Sequence, residues 1–103
     1  MLFADSIKKL REEKQMPQRQ LAAALEIDTA TYCKIERGER RAKRDQVASL
    51  ANLFRTDKEL LLNLWLAEQI YSILKDEGNA EKVLKIVHDK LIEYKSVFNK
   101  RKA

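Results

Sequence analysis

The stretch QRQLAAALEIDTATYCKIERG, residues 18–38, decides the fold. Its first part sets Leu21, Ala22 and Leu25 at helical spacing, and its second does the same with Tyr32 and Ile35. Between them Glu26 and Ile27 leave room for only a very short connection. Asp28 is a good N-cap for a helix over TATYCKIER, because its carboxylate can accept one of the unpaired first-turn N–H groups. Gly38 stands where a left-handed residue beyond a helix end is expected. Pro17 sits at the start of the first segment, where its missing N–H costs nothing.

Two short helices joined by a turn of about three residues form a helix-turn-helix pattern. Working outward, a first helix is expected over Asp5–Lys14, capped by Asp5 or Ser6, with Ile7, Leu10 and Leu2 or Phe3 on its apolar side. Gln15 and Met16 end it, since a residue before proline disfavours α geometry. After the basic loop ERRAKR, Asp45 is expected to cap a helix over DQVASLANLF, with Val47, Leu50, Ala51 and Phe54 inward. Thr56 or Asp57 should cap a long fifth helix from Lys58 to a stop at Gly78. Asn79 should cap a sixth from Ala80 to about Asn99, with the end NKRKA frayed. With two glycines and one proline in 103 residues, a many-stranded fold lacks its turn residues, and the chain reads as all-α.

The charge is unevenly placed. The net balance is +5, and residues 1–56 carry 12 Lys/Arg against 8 Asp/Glu. Lys34, Arg37, Arg40, Arg41, Lys43 and Arg44 crowd into eleven positions with only Glu36 and Glu39 to offset them. Such a surplus suits a phosphate backbone, although a solvated surface loop can look the same. A single cysteine forms no intrachain disulfide and fits a reducing compartment. The run LLLNLWLA is far shorter than the roughly 20 residues of a membrane span, and no signal peptide is visible at the N-terminus. A soluble cytoplasmic protein is expected.

The faces of the third helix sharpen this. At roughly 100° per residue, Thr29, Ala30, Cys33, Lys34 and Arg37 share an arc of about 140°. Thr31, Tyr32 and Ile35 fall on the other side and must pack. Small side chains at the N-terminal end and long cations further on suit entry into a major groove. An ordinary amphipathic helix would also carry a polar outer face.

The segment from Ile7 to Leu61 resembles the phage-repressor and Cro-like helix-turn-helix family, the XRE type. The features in register are LREEK, Gln18, the Leu21–Ala22 pair, Leu25, Ile27, IERG at 35–38, and then Ala51 and Phe54. The resemblance implies a compact lambda-repressor-like bundle of helices 1–5, with the sixth added to it. It implies a DNA-binding domain over residues 1–61 and a C-terminal extension over 62–103. It assigns base reading to Thr29, Ala30 and Lys34, with Cys33 alongside, and backbone contacts to Gln18, Thr31, Arg37, Arg40, Arg41 and Lys43. Gln18 would hold a phosphate and brace Thr29, and Glu36 would brace Arg19, Arg40 or Arg11. The chain departs from the family at Pro17, where Ser or Thr is usual, and at Glu26, where Gly is frequent. If the latter position needs positive φ, Glu26 carries about 1 kcal/mol of strain.

The implied partner is double-stranded DNA, read by a dimeric repressor or autoregulator. It would be a controller of a restriction-modification locus or a phage or mobile-element repressor. No cofactor, metal or small-molecule effector is expected. Lone His88 lacks co-ligands, and no nucleophile–base pair or phosphate loop supports an enzyme. The fifth helix is apolar on nearly every side between Leu60 and Leu66. The sixth carries Val83, Val87, Leu91, Tyr94 and Phe98 on one stripe, with Leu84, Ile86, Ile92 and Val97 widening it. These helices would either close over the first four or build a homodimer. In a different class of function, they would bind a partner protein, as an antitoxin does. Trp65 is expected in a core or interface.

Overall fold

A computed structural model of the chain describes residues 2–102, with side chains for residues 2–99, as six helices without strands. They are α1 (Phe3–Glu13), α2 (Gln18–Ala24), α3 (Thr29–Glu36), α4 (Arg44–Phe54), α5 (Lys58–Leu74) and α6 (Ala80–Lys102). Two compact units make up the chain, Met1–Tyr71 and Ser72–Ala103.

The first unit is built on one apolar core. Phe3 and Ile7 of α1, Leu21 and Ala22 of α2, Tyr32 and Ile35 of α3, Val47, Leu50, Ala51 and Phe54 of α4, and Leu61 of α5 are all buried. Each large side chain removed from water contributes about 1.5–3 kcal/mol, which is what draws these short helices together. Leu10, Leu25, Ile27 and Trp65 pack on the rim of that core. The all-α expectation and the inward faces of α2, α3 and α4 hold.

The helix ends differ in instructive ways. α1 begins at Phe3 rather than Asp5, and Leu2 stands at its N-cap without a side-chain bond. The missing cap comes from elsewhere: Glu68 of α5 accepts the Ala4 N–H at 3.0 Å. Pro17 is the N-cap of α2 and lies just outside it, with extended φ and ψ. Asp28 caps α3 as expected, accepting the Thr31 N–H at 2.6 Å. Lys43, not Asp45, is the N-cap of α4, and the Gln46 side chain accepts its N–H at 2.9 Å. Asp45 lies inside the first turn, where its charge favours the positive helix end. Asp57 bonds the Glu59 N–H at the start of α5.

α5 stops at Leu74, four residues before Gly78, in a turn closed by the Glu77 N–H on the Leu74 carbonyl. Gly38 is the only glycine among the described residues with positive φ. Three other positive-φ positions are non-glycine: Gln15 (φ 55°), Glu26 (φ 58°) and Arg55 (φ 52°). The strain anticipated at Glu26 is therefore present, and two further helix exits carry it too. α6 continues beyond Asn99 to Lys102, so the helix does not end where fraying was expected; Ala103 lies outside the described residues.

Candidate nucleic-acid interface

α3 owes its orientation to its buried face. Tyr32 is 0 % exposed and Ile35 2 %, so the opposite face must look outward. Thr29, Ala30, Lys34 and Arg37 are exposed there, while Thr31 and Cys33 are half-buried on its edges. The Arg37 N–H closes the helix on Cys33, and Gly38, at φ 75°, turns the chain into the basic loop.

Beneath this face lies a charged network. Glu36 is buried, and Arg11 grips it with two bonds, Nε–Oε2 at 2.6 Å and Nη2–Oε1 at 3.1 Å. Arg11 also donates to the Met16 carbonyl, which ties the exit of α1 to the same point. Of the three arginines proposed as braces for Glu36, Arg11 is the one that bonds it. Gln18 Nε2 donates to Glu36 Oε1 at 3.2 Å, and the Cys33 thiol donates to Gln18 Oε1 at 3.0 Å. These bonds, rather than one to Thr29, fix Gln18. α1, α2 and α3 thus meet at a single carboxylate.

Burial alone would raise the Glu36 carboxyl. Hydrogen bonds from Arg11 and Gln18, together with the nearby Tyr32 phenol and the Arg11 charge, outweigh it and hold the group below the usual carboxylate range. Tyr32 shows the reverse: burial first, then the nearby Glu36, push its phenol well above the ordinary value. The Thr31 side chain and backbone N–H lower the Asp28 carboxyl.

The basic loop is propped from behind by α5. Ala42 is buried, and Trp65 Nε1 donates to its carbonyl at 2.8 Å. Arg44 lies 5.6 Å from the Trp65 ring centroid, and Arg41 donates to Gln69 Oε1 at 2.6 Å. Arg40, Arg41, Lys43 and Arg44 are exposed on this support. Arg37 pairs with Glu39 at 3.1 Å, an exposed contact that phosphates could compete for. The sequence signals missed Arg44 as a surface cation held in place, and they missed Glu68 and Gln69 altogether. Glu68 and Ala4 are 64 positions apart, and no local pattern links them.

Exposed small residues at one end of α3, cations at the other and a braced basic loop form a face suited to duplex DNA. Residues 2–64 match the family model described as a helix-turn-helix domain, and the chain belongs to this XRE-like helix-turn-helix family. No curated protein and no solved structure gives a significant match. The family is one of DNA-binding domains. Among the described residues no helix is long and apolar enough to cross a membrane.

Proposed function

We propose that the protein is a sequence-specific regulator of transcription that inserts α3 into the major groove. The observation that carries this reading is the pairing of an exposed α3 face with the propped cationic loop, all on one rigid scaffold around Glu36. Thr29, Ala30 and Lys34 read bases, with Cys33 beside them. Gln18, Thr31, Arg37, Arg40, Arg41 and Lys43 hold phosphates. The DNA-reading residues fall within 1–61, Trp65 and Gln69 at the start of the 62–103 extension brace their loop, and the rest of that extension carries the dimerising surface. Two copies give two reading helices for half-sites about one DNA turn, roughly 34 Å, apart.

A second reading draws on α6. Nine of its large apolar side chains, from Val83 to Phe98, are more than a third exposed, as a surface for another protein would be. An antitoxin-like role would use them for a foreign partner. Selection of bound duplexes from a random library at stated salt separates the two. A two-fold-symmetric enriched site is the expected result. No enrichment at any salt would overturn the regulator and favour the interaction module.

A further inference from the structure

α6 spans 23 residues, about 34 Å of helix. Six of its apolar residues follow a strict 4–3 spacing: Ala80, Leu84, Val87, Leu91, Tyr94 and Phe98. This is the seam of a two-stranded coiled coil, with Leu84, Leu91 and Phe98 at a and Ala80, Val87 and Tyr94 at d. Leu84 is 45 % exposed, Leu91 52 % and Tyr94 64 %. The ion pair Lys85–Asp89, at 3.0 Å, lies on the opposite, outer side. The seam side is apolar along its length, while the outer side mixes this ion pair with Ile86 and Ile92, 68 % and 55 % exposed.

We propose that α6 pairs with α6 of a second copy in an antiparallel coiled coil centred at the level of residue 89. The proposal rests on the dimeric reading above and adds the surface, direction and register. Volume and charge along the seam select them. Antiparallel pairing that uses all six seam residues sets Ala80 against the partner's Phe98, Leu84 against the partner's Tyr94, and Val87 against the partner's Leu91. Small residues meet large ones in the end layers, as close packing requires.

The flanking positions agree. Glu81 meets the partner's Lys95 twice over, and Val83 meets the partner's Val97 twice, which widens the apolar strip. One like-charged pair remains, Lys90 on the partner's Lys90, and each lysine has Glu93 of its own helix at 3.6 Å. Parallel pairing does worse on each count. It stacks Ala80 on Ala80 and Phe98 on Phe98, sets Val83 against His88, and places Lys90 against Lys95 on both sides, where like charges repel.

Two experiments on the full chain, in a Cys33→Ser background, test this. In the first, Leu84→Cys and Tyr94→Cys chains are mixed and oxidised while sedimentation reports the oligomeric state. Mixed disulfide dimers, with little linking of Leu84→Cys to itself, are expected. Self-linking of Leu84→Cys would overturn the antiparallel arrangement and leave the dimer standing. A dimer that links in neither arm would place the interface off α6 and overturn the proposal alone. A monomer at micromolar concentration would overturn both proposal and dimeric reading.

In the second experiment, Glu81→Lys should raise the dimer dissociation constant about tenfold, since two attractive pairs become repulsive. Adding Lys95→Glu to the same chain should restore it. Residues 81 and 95 lie four helical turns apart within one chain, so rescue has to cross the interface. Failure of rescue would refute the register.

Discussion

Arg11 Nε lies 2.6 Å from Glu36 Oε2, and this pair ties the helix that precedes the motif to the end of the helix that faces outward. Glu36 has 2 % of its side chain exposed and Arg11 14 %, so the charges depend on each other. Removing one strands the other in a poorly solvated site. Glu36→Gln should destabilise the first unit by about 3 kcal/mol in urea unfolding. Replacing both members with apolar residues of similar volume should cost much less than the two single changes added together. Additive costs would show that the two side chains act independently.

The same carboxylate sets an acid limit. Its folded-state pKa lies below the ordinary glutamate value, so the stabilisation is complete above about pH 4.3 and is lost as pH falls through the folded value. Asp28, also lowered, adds loss in the same direction. Midpoints of thermal unfolding between pH 7 and pH 3 should therefore drop on the acid side. Glu36→Gln should flatten that drop without abolishing it.

The three non-glycine exits in the left-handed region offer a gain. Glu26→Gly and Arg55→Gly should each raise stability by up to about 1 kcal/mol, because glycine adopts that conformation without a Cβ clash. Gly38→Ala should do the opposite by about 1 kcal/mol. An added Cβ there meets only Ala4 Cβ at 4.0 Å, so the cost is one of backbone conformation rather than space. Denaturant midpoints at unchanged slope measure all three.

Glu68→Ala removes the only side-chain cap on α1 among the described residues. A loss of about 1 kcal/mol is expected. Faster amide exchange should be confined to the first turn of α1, and uniform acceleration throughout the unit would point to a different role for Glu68.

On DNA, Lys34→Ala should relax preference at one base pair by about 1–3 kcal/mol while leaving other positions unchanged. Arg41→Gln should weaken binding to all sequences and reduce the salt slope by about one unit. Quantitative binding to a panel of duplexes at several salt concentrations distinguishes base contact from phosphate contact for each.

Features governed by local chemistry were legible in the sequence. Asp28 caps α3 and Gly38 ends it, because both act within a few residues of their partners. The inward faces of α2, α3 and α4 followed from spacing alone. What escaped was set by distant chain. α1 starts early because Glu68 supplies a cap that neither Asp5 nor Ser6 is called on to give. The basic loop is firm because Trp65 and Gln69 stand behind it. The left-handed turns at Gln15 and Arg55 carried no glycine to announce them.

Trp65 is the one tryptophan in the chain, and it touches the basic loop twice, through the Ala42 carbonyl and through Arg44 over its ring. The molecule thus has a built-in optical probe directly behind its cationic surface. Any duplex that draws Arg44 toward a phosphate changes the field at the indole. Intrinsic emission can then follow DNA docking in real time, without a label and without altering a side chain.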